Sequence, residues 1–576
     1  MPDIPSGVVA TVAHLGLVGG VLGVLATVYR APTRINEAFS EGRRPALLRK
    51  LGPLWIGGML AVVALTWWVR LQVLVPVTLA EVSRGGALEL LLAAVGVLAV
   101  LLEAVLLAHW VTYVGHAWRG AARYVPPEAA AVAAWPRCLV LVPICDEAVE
   151  VMDRAIGSAA CLQGAARVVL VDNSRTVAGR GAAERVAARH GVERLSIPNR
   201  GHKACALNDA LRVLDDDAPV VAVFDADQRA RPDFLVRTVP VLLAAPDRGF
   251  VQTAQGYEDH RASWLRRAAA QQEALLYDSI LESFSVVGHT PLCGTNVVYR
   301  RAALYAVGGF DETCLSEDLS TGHAMHVAGW RSVYLRELLA IGLAPEDLFA
   351  YWRQQRRWAT GNTQLFLRLL RAPGRGGWRL WGSALWSSGF YVVACAIGAL
   401  AGLPAVPLLV ERFGGVGAPH VALGGLGLLG LSVYPLYVLV VLFPYVNMAL
   451  RGYAIRDLLL VQGLLAVSIP RYGAAVARAA FPGARVFYGT RHVRKVARLG
   501  PQVLAWLGFL AAGALALDAV LHAPTGGAGW VIYAWLGFYG VAAGHLPLFA
   551  LQGRAAPVVK PAGVSDIPSL RSARSK

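Results

Sequence analysis

Apolar runs long enough to cross a bilayer stand on both sides of a polar centre in this chain. They fall at about 8–28, 54–78, 86–112, 384–410, 420–447, 502–521 and 529–551. Runs of that length commit both ends of the chain to helices, because lipid leaves no partner for an open strand or loop. The centre, about 136–345, is left to fold in water. Composition agrees: 56% of the 576 residues are hydrophobic and 16% charged, with mean hydropathy +0.49. The net charge of +16 is read as loops facing anionic lipid. No Lys/Arg-rich run or nucleic-acid module accompanies it, so nucleic acid is not expected as a partner.

Positive charge sets the expected orientation. The 29–51 loop carries Arg30, Arg34, Arg43, Arg44, Arg49 and Lys50, whereas 79–85 carries only Arg84. Seven spans with the N-terminus outside and the C-terminus inside satisfy these loops, placing the polar centre in the cytosol. Asp3 precedes the first run without a Lys or Arg, so that run is expected to be a retained anchor and not a signal peptide. Arg70 and Glu103 interrupt apolar runs and are read as structural. Residues 346–372 and 453–499 read as amphipathic helices on the cytoplasmic membrane surface; Ser468, Pro470 and Arg471 break the apolar stretch of the second. The seven cysteines form no CxxC pair, the pattern of reduced thiols.

Within the centre, "RCLVLVPI" (137–144), "RVVLVDNS" (167–174) and "VVAVFDAD" (220–227) are short β-rich runs ending in polar residues, with helical stretches between them. This alternation predicts a parallel sheet with crossover helices, and such sheets bind ligands at their carboxyl ends. Asp225 and Asp227 lie there, spaced to hold a hard divalent cation; solvated turn carboxylates are the other reading. Asp172 and Ser174, and likewise Asp146 and Glu147, occupy equivalent strand ends. Lys203 and Asn208 lie at the start of a helix, where a lysine can pair with phosphate. Glu317 and Asp318 precede another helix, as caps or as a general base. His323 and His326 are taken as polar helix residues and not as metal ligands. "WRQQRRW" (352–358) combines donors suited to a diphosphate with a Trp face suited to a pyranose ring; an interfacial aromatic belt would look the same.

The order of these motifs is more specific than any one of them. Asp172, Asp225-x-Asp227, Glu317-Asp318 and Gln354-x-x-Arg357-Trp358 resemble the signature of membrane-embedded family 2 glycosyltransferases, the bacterial cellulose, chitin and hyaluronan synthases. "VQTAQGY" (251–257), "CGTNVVYRRAAL" (293–304) and "GLAPEDLFAYWRQQRRWATGN" (342–362) extend the likeness over about 136–372, most closely towards cellulose synthase.

That resemblance implies an α/β GT-A domain with a mostly parallel sheet, inserted between transmembrane helix bundles of a polytopic protein with about seven spans. The implied layout is three spans in 1–135, a cytosolic GT-A domain in 136–345, and interfacial helices in 346–380. A transmembrane pair in 381–450, an interfacial helix and gating loop in 451–499, a second pair in 500–552 and a basic cytosolic tail in 553–576 complete it. Glu147, Asp172, Lys203 and Asp225 would contact a UDP-sugar, and Asp225 and Asp227 would hold Mg2+ or Mn2+. Asp318 would be the catalytic base. Gln354 and Arg357 would sit by the diphosphate, Trp358 would stack on the acceptor sugar, and Cys293 would lie beside the acceptor. Thr490, in "FYGTRHVRK" (487–495), would belong to a gating loop that here departs from the usual F-x-V-T-x-K. "DNS" stands where "DDGS" is frequent. The implied reaction is inverting polymerisation of a UDP-hexose, UDP-glucose by default, onto a growing glycan extruded across a bacterial-type cytoplasmic membrane. The alternative is transfer of one sugar to a lipid acceptor.

Overall fold

The computed structural model describes residues 87–402, apart from 165, 215 and 216, and 446–481, with residue 444 and scattered helical positions between 49 and 68. The expected runs at 8–28, 502–521 and 529–551, most of 54–78 and 420–447, the gating loop with Thr490, and the tail lie outside these residues.

The first long element is α1 (Ala87–Arg123), a 37-residue helix covering the expected run at 86–112. Leu90, Val97, Leu98, Leu101 and Val105 on it are exposed. The central domain then alternates strand and helix: β1 (Cys138–Ile144), α2 (Val149–Ala160), β2 (Ala166–Asp172), α3 (Val177–His190), β3 (Glu193–Ser196), α4 (Lys203–Val213) and β4 (Val220–Val223). It continues with β5 (Arg229–Ala230), α5 (Phe234–Leu243), β6 (Arg248–Thr253), α6 (Trp264–Leu275), a π-helical turn (Leu276–Ile280) and α7 (Leu281–Val287). It closes with β7 (Val297–Arg300), α8 (Arg301–Ala306), α9 (Glu317–Val327), β8 (Arg331–Leu335) and β9 (Ala340–Ile341).

Seven strands form one sheet in the order β3-β2-β1-β4-β7-β6-β8. The β1–β2, β2–β3, β1–β4 and β6–β8 pairs are parallel, as the sequence predicts. β7 runs antiparallel between β4 and β6. Successive β1 side chains point to opposite faces: Val140 and Val142 pack with Met152 and Phe234, and Leu139 and Leu141 with Leu207 and Tyr299. Burial on both faces explains why the strand is apolar throughout. The strand order reverses between β1 and β4, which opens a crevice beyond their carboxyl ends.

Among the described residues the longer helices that follow are α10 (Leu348–Arg371), α11 (Trp378–Ser388), α12 (Phe390–Gly402) and, later, α13 (Ile455–Ala480). Asp347 caps α10, accepting from the Ala350 amide at 2.7 Å. The expected span at 384–410 is interrupted: α11 and α12 meet at Gly389, where a side chain would stand 2.9 Å from the Leu385 carbonyl oxygen. The stretch taken as broken at Ser468, Pro470 and Arg471 is one continuous helix, α13. Its Leu460–Ala480 portion is the one described helix with the length and apolarity to cross a membrane, and half of its apolar window is buried in protein. Seven crossings are therefore not established by the described residues. Met448, Tyr453 and Leu464 pack against Tyr257, Tyr351 and Trp352, which joins α13 and the segment before it to α6 and α10.

Four buried charges tie these layers together. Arg336 Nε lies 2.7 Å from Asp278 Oδ1 and 3.1 Å from Glu282 Oε1, and Arg451 reaches Glu282 at 3.2 Å and Asp278 at 3.7 Å.

Candidate active site

The crevice collects acids from two strand ends. Glu147 follows β1, and Asp225 and Asp227 follow β4. Burial and then the charges of Asp227 and Asp225 push Glu147 up to about 7. Burial and then Asp225 raise Asp227 to about 6. Mutual repulsion of this kind marks a site that wants a cation. Lys203, the first residue of α4, supplies one: its Nζ lies 2.5 Å from Asp225 Oδ1 and 2.6 Å from the Gly294 carbonyl oxygen. Burial works against its charge, but Asp225 and Glu317 leave its pKa raised.

The "CGTN" loop closes one side. Asn296 adopts a left-handed conformation (φ 56°) and donates its amide to Val223 at 3.0 Å. Thr295 Oγ1 accepts from the Asp225 amide at 2.9 Å, so this loop positions the DxD segment. Gln252 of β6 accepts from the Cys293 amide at 3.0 Å and donates to the Thr295 carbonyl at 2.9 Å. Cys293 is a half-buried thiol pushed up to about 12 by desolvation.

Asp318 stands in the first turn of α9, and the Leu319 amide donates to its Oδ1 at 2.8 Å. Burial and the adjacent Glu317 raise its pKa to about 7, while the Leu319 amide, Lys203 and Arg357 pull the other way. Gly294 (φ +78°) is the residue that allows this approach: a Cβ there would stand 2.7 Å from Asp318 Oδ2. A carboxyl balanced near neutrality beside two cations suits a general base.

The helix α10 crosses the site with different residues on different faces. Arg357 faces the Asp318 side, and its Nε is enclosed without a hydrogen-bond partner. Gln354 hydrogen-bonds the Tyr257 hydroxyl. The neighbouring Gln355 is buried away from the crevice, accepting from Tyr391 at 2.9 Å and Tyr472 at 3.3 Å. Trp352 donates to Ser468 at 2.9 Å, and Arg471 stands 5.1 Å above its ring. Trp358 is half-buried against Tyr391 and Tyr472. The first tryptophan of "WRQQRRW" thus packs scaffold, while Gln354 and Arg357 face the crevice.

Asp172 and Asn208 are tied into the fold by partners within the protein. Asp172 is fully buried at the end of β2, held by Arg194 at 2.6 Å and the Ser174 amide at 2.9 Å. Asn208 clamps both the amide and the carbonyl of Phe310, at 2.8 and 2.9 Å. His326 shares a 2.8 Å hydrogen bond with Ser332, away from the acids. Among the described residues no three His, Cys, Asp or Glu side chains converge to hold a metal ion by themselves. Asp225 and Asp227 offer hard oxygen donors, which fits Mg2+ or Mn2+ completing its shell with phosphate oxygens and water.

Sequence reading missed Glu273 of α6. The Tyr257 hydroxyl donates to its Oε1 at 2.5 Å, and burial, opposed by that hydrogen bond and reinforced by Asp227, raises it to about 7. Its signal was present: at helical spacing Glu273 shares a face with the buried Ala269 and Ala270.

Residues 220–451 match the model of glycosyl transferase family group 2. Curated relatives include putative cellulose synthase 2 of Komagataeibacter xylinus, 30% identical over 281 residues that cover 47% of this chain and 18% of the relative. Probable glucomannan 4-beta-mannosyltransferase 9 of Oryza sativa subsp. japonica is 31% identical over 260 residues, 42% of this chain and 48% of the relative. The chain thus spans less than half the length of the curated relatives it matches. Among solved structures, a mannosyltransferase from Pyrobaculum calidifontis covers 63% of this chain and 98% of its own, at 21% identity and a TM-score of 0.45. Residues 220–451, which include Asp225, Asp227 and Asp318 of this crevice and the helix above them, are therefore similar to glycosyl transferase family group 2, and stretches of the chain are similar to cellulose and glucomannan synthases.

Proposed function

We propose that this chain is an inverting, metal-dependent processive β-glycosyltransferase. It polymerises a UDP-hexose, UDP-glucose first, at the cytoplasmic face of the membrane and passes the product outward through its own spans. The observation that carries this is the approach of Asp318 to Gly294, Lys203 and the Asp225 loop. A base, a phosphate-binding cation and paired carboxylates share one crevice, roofed by the helix that bears Gln354, Arg357 and Trp358.

In the proposed step Asp318 takes the proton of the acceptor hydroxyl as its oxygen bonds to C1 of the hexose. The bond from C1 to the diphosphate breaks on the opposite side, and UDP leaves with the electron pair. Lys203 and Arg357 hold the anionic leaving group. Asp225 and Asp227 would hold Mg2+ or Mn2+, whose charge offsets that of the diphosphate. Glu147 lines the nucleotide pocket with them, and Asp172 keeps the β2 end in shape through Arg194. Cys293, Gln354 and Trp358 border the acceptor. A roof helix packed on α12 and α13, and the exposed apolar face of α1, support a site opening towards lipid and a growing chain.

The test uses the full chain in lipid vesicles with Mg2+ or Mn2+, supplied with radiolabelled UDP-sugars and a mannose donor. High-molecular-weight label that a β-glycosidase digests is expected and names the sugar. Label extracted wholly into organic solvent would replace polymerisation with single transfer to lipid. No transfer from any donor would overturn the reading.

A further inference from the structure

Glu273 has a feature that packing does not account for. Its Oε1 accepts from Tyr257, but its Oε2 is enclosed and has no hydrogen-bond partner. An unsatisfied buried carboxyl oxygen is costly, so an oxygen left this way waits for a donor. Glu273 lies in the last turn of α6, three residues before the π-helical Leu276–Ile280 that carries Tyr277. The charge of Asp227, at the diphosphate end of the crevice, acts on Glu273, and its own charge acts on Cys293, Tyr277 and Tyr391 at the other. Tyr257 links it to Gln354 of α10. The carboxyl therefore sits between the proposed donor and acceptor positions, with one oxygen anchored to the roof helix through Tyr257.

We infer that Glu273 is a sugar-binding residue whose Oε2 accepts a hydrogen bond from a hexose hydroxyl, while Oε1, Tyr257 and Gln354 hold it in register with the roof helix. The inference rests on the glycosyltransferase reading above and adds to it the chemistry of one contact. A hexose hydroxyl is a neutral donor small enough to reach an enclosed oxygen, and a carboxyl can take it without loss of geometry. The hydroxyl belongs to the donor hexose or to the terminal hexose of the acceptor, and the two separate kinetically. A donor contact acts on the KM for the nucleotide sugar. An acceptor contact acts on elongation and leaves hydrolysis of the nucleotide sugar to water unaffected.

The experiment compares Glu273→Gln and Tyr257→Phe with wild type, as full chains in vesicles. The readouts are donor KM, polymer length, release of UDP without polymer, and UDP affinity by calorimetry. The amide keeps the shape and still accepts from Tyr257, but presents an NH2 group on one side. Glu273→Gln is expected to reduce elongation, or to raise donor KM, by about 10- to 100-fold, the range of a hydrogen bond to a charged group. UDP affinity stays at its wild-type value and the fold is not destabilised. Tyr257→Phe, which frees the anchor and leaves Oε2, is expected to lose less, about 3- to 10-fold. Wild-type kinetics in Glu273→Gln would overturn the inference, as would an equal loss of UDP affinity or failure to fold. If wild type itself transfers no sugar, the functional reading fails first and separately.

Discussion

Replacing Asp318 with asparagine should cripple transfer and stabilise the fold. In the folded protein Asp318 holds its proton to about 7 against an ordinary value of 3.8, because burial and Glu317 oppose the carboxylate. The folded state then binds more protons than the unfolded chain between about pH 4 and pH 7, so stability is lost as pH rises through that window. A shift of that size corresponds to a ceiling of about 4 kcal/mol above pH 7. Solvent reaches part of the side chain, and about 2 kcal/mol is the expected gain for the neutral amide. In a domain of this size that raises the unfolding temperature by about 4–8 °C at pH 8, and by less than half as much at pH 5. Removing a general base lowers turnover by about 100- to 10,000-fold. The assay is thermal unfolding of purified wild type and variant at both pH values, beside sugar transfer and UDP binding. A variant no more stable than wild type at pH 8, or a gain as large at pH 5, would refute the reasoning. Loss of UDP affinity would make Asp318 a binding residue.

Other expectations follow from the same geometry. The pH profile of kcat/KM should fall on the acid side of about 7, since the base works deprotonated; a flat profile from pH 6 to 8 would count against Asp318. Gly294→Ala should lower transfer at least 10-fold and destabilise by about 1–3 kcal/mol, because a methyl group would strike Asp318 in a left-handed backbone; kinetics and melting of that variant check it. Gln355→Leu should cost about 1–3 kcal/mol by stranding the Tyr391 hydroxyl, while Tyr472 keeps Tyr351 at 3.0 Å, with UDP affinity unchanged by calorimetry. Chelation of divalent cations should abolish transfer, and Mg2+ or Mn2+ should restore it; activity persisting in EDTA would remove the metal from Asp225 and Asp227.

The crevice was legible where chemistry follows directly from position. An apolar strand that ends in a polar residue must place that residue at the carboxyl edge of the sheet, which is how Glu147, Asp225 and Asp227 could be grouped before any contact was known. The direction of β7 was not legible. "VVYR" is apolar on both faces whichever way it runs, and only its pairing with β4 and β6 settles the matter. Only the Gln354-x-x-Arg357-Trp358 register separated Gln354 from Gln355 in the sequence: adjacent helical residues point about 100° apart, and the tyrosines that claim Gln355 come from α12 and α13. Asp172 looked like its neighbours at the other strand ends. Arg194, 22 residues further on, is what encloses it.

The buried quartet of Asp278, Glu282, Arg336 and Arg451 bears on how the protein can be handled. Its two acids and Arg336 lie in the sheet-bearing half, while Arg451 enters from beyond α12. A fragment ending before that arginine would keep two buried carboxylates with a single counter-charge, a loss of the kind that costs about 3–5 kcal/mol. Excised for crystallisation or library screening, the sheet-bearing half would start with much of an ordinary domain's stability already gone. Trimming strategies should treat Arg451 as part of the catalytic half, however far along the chain it falls.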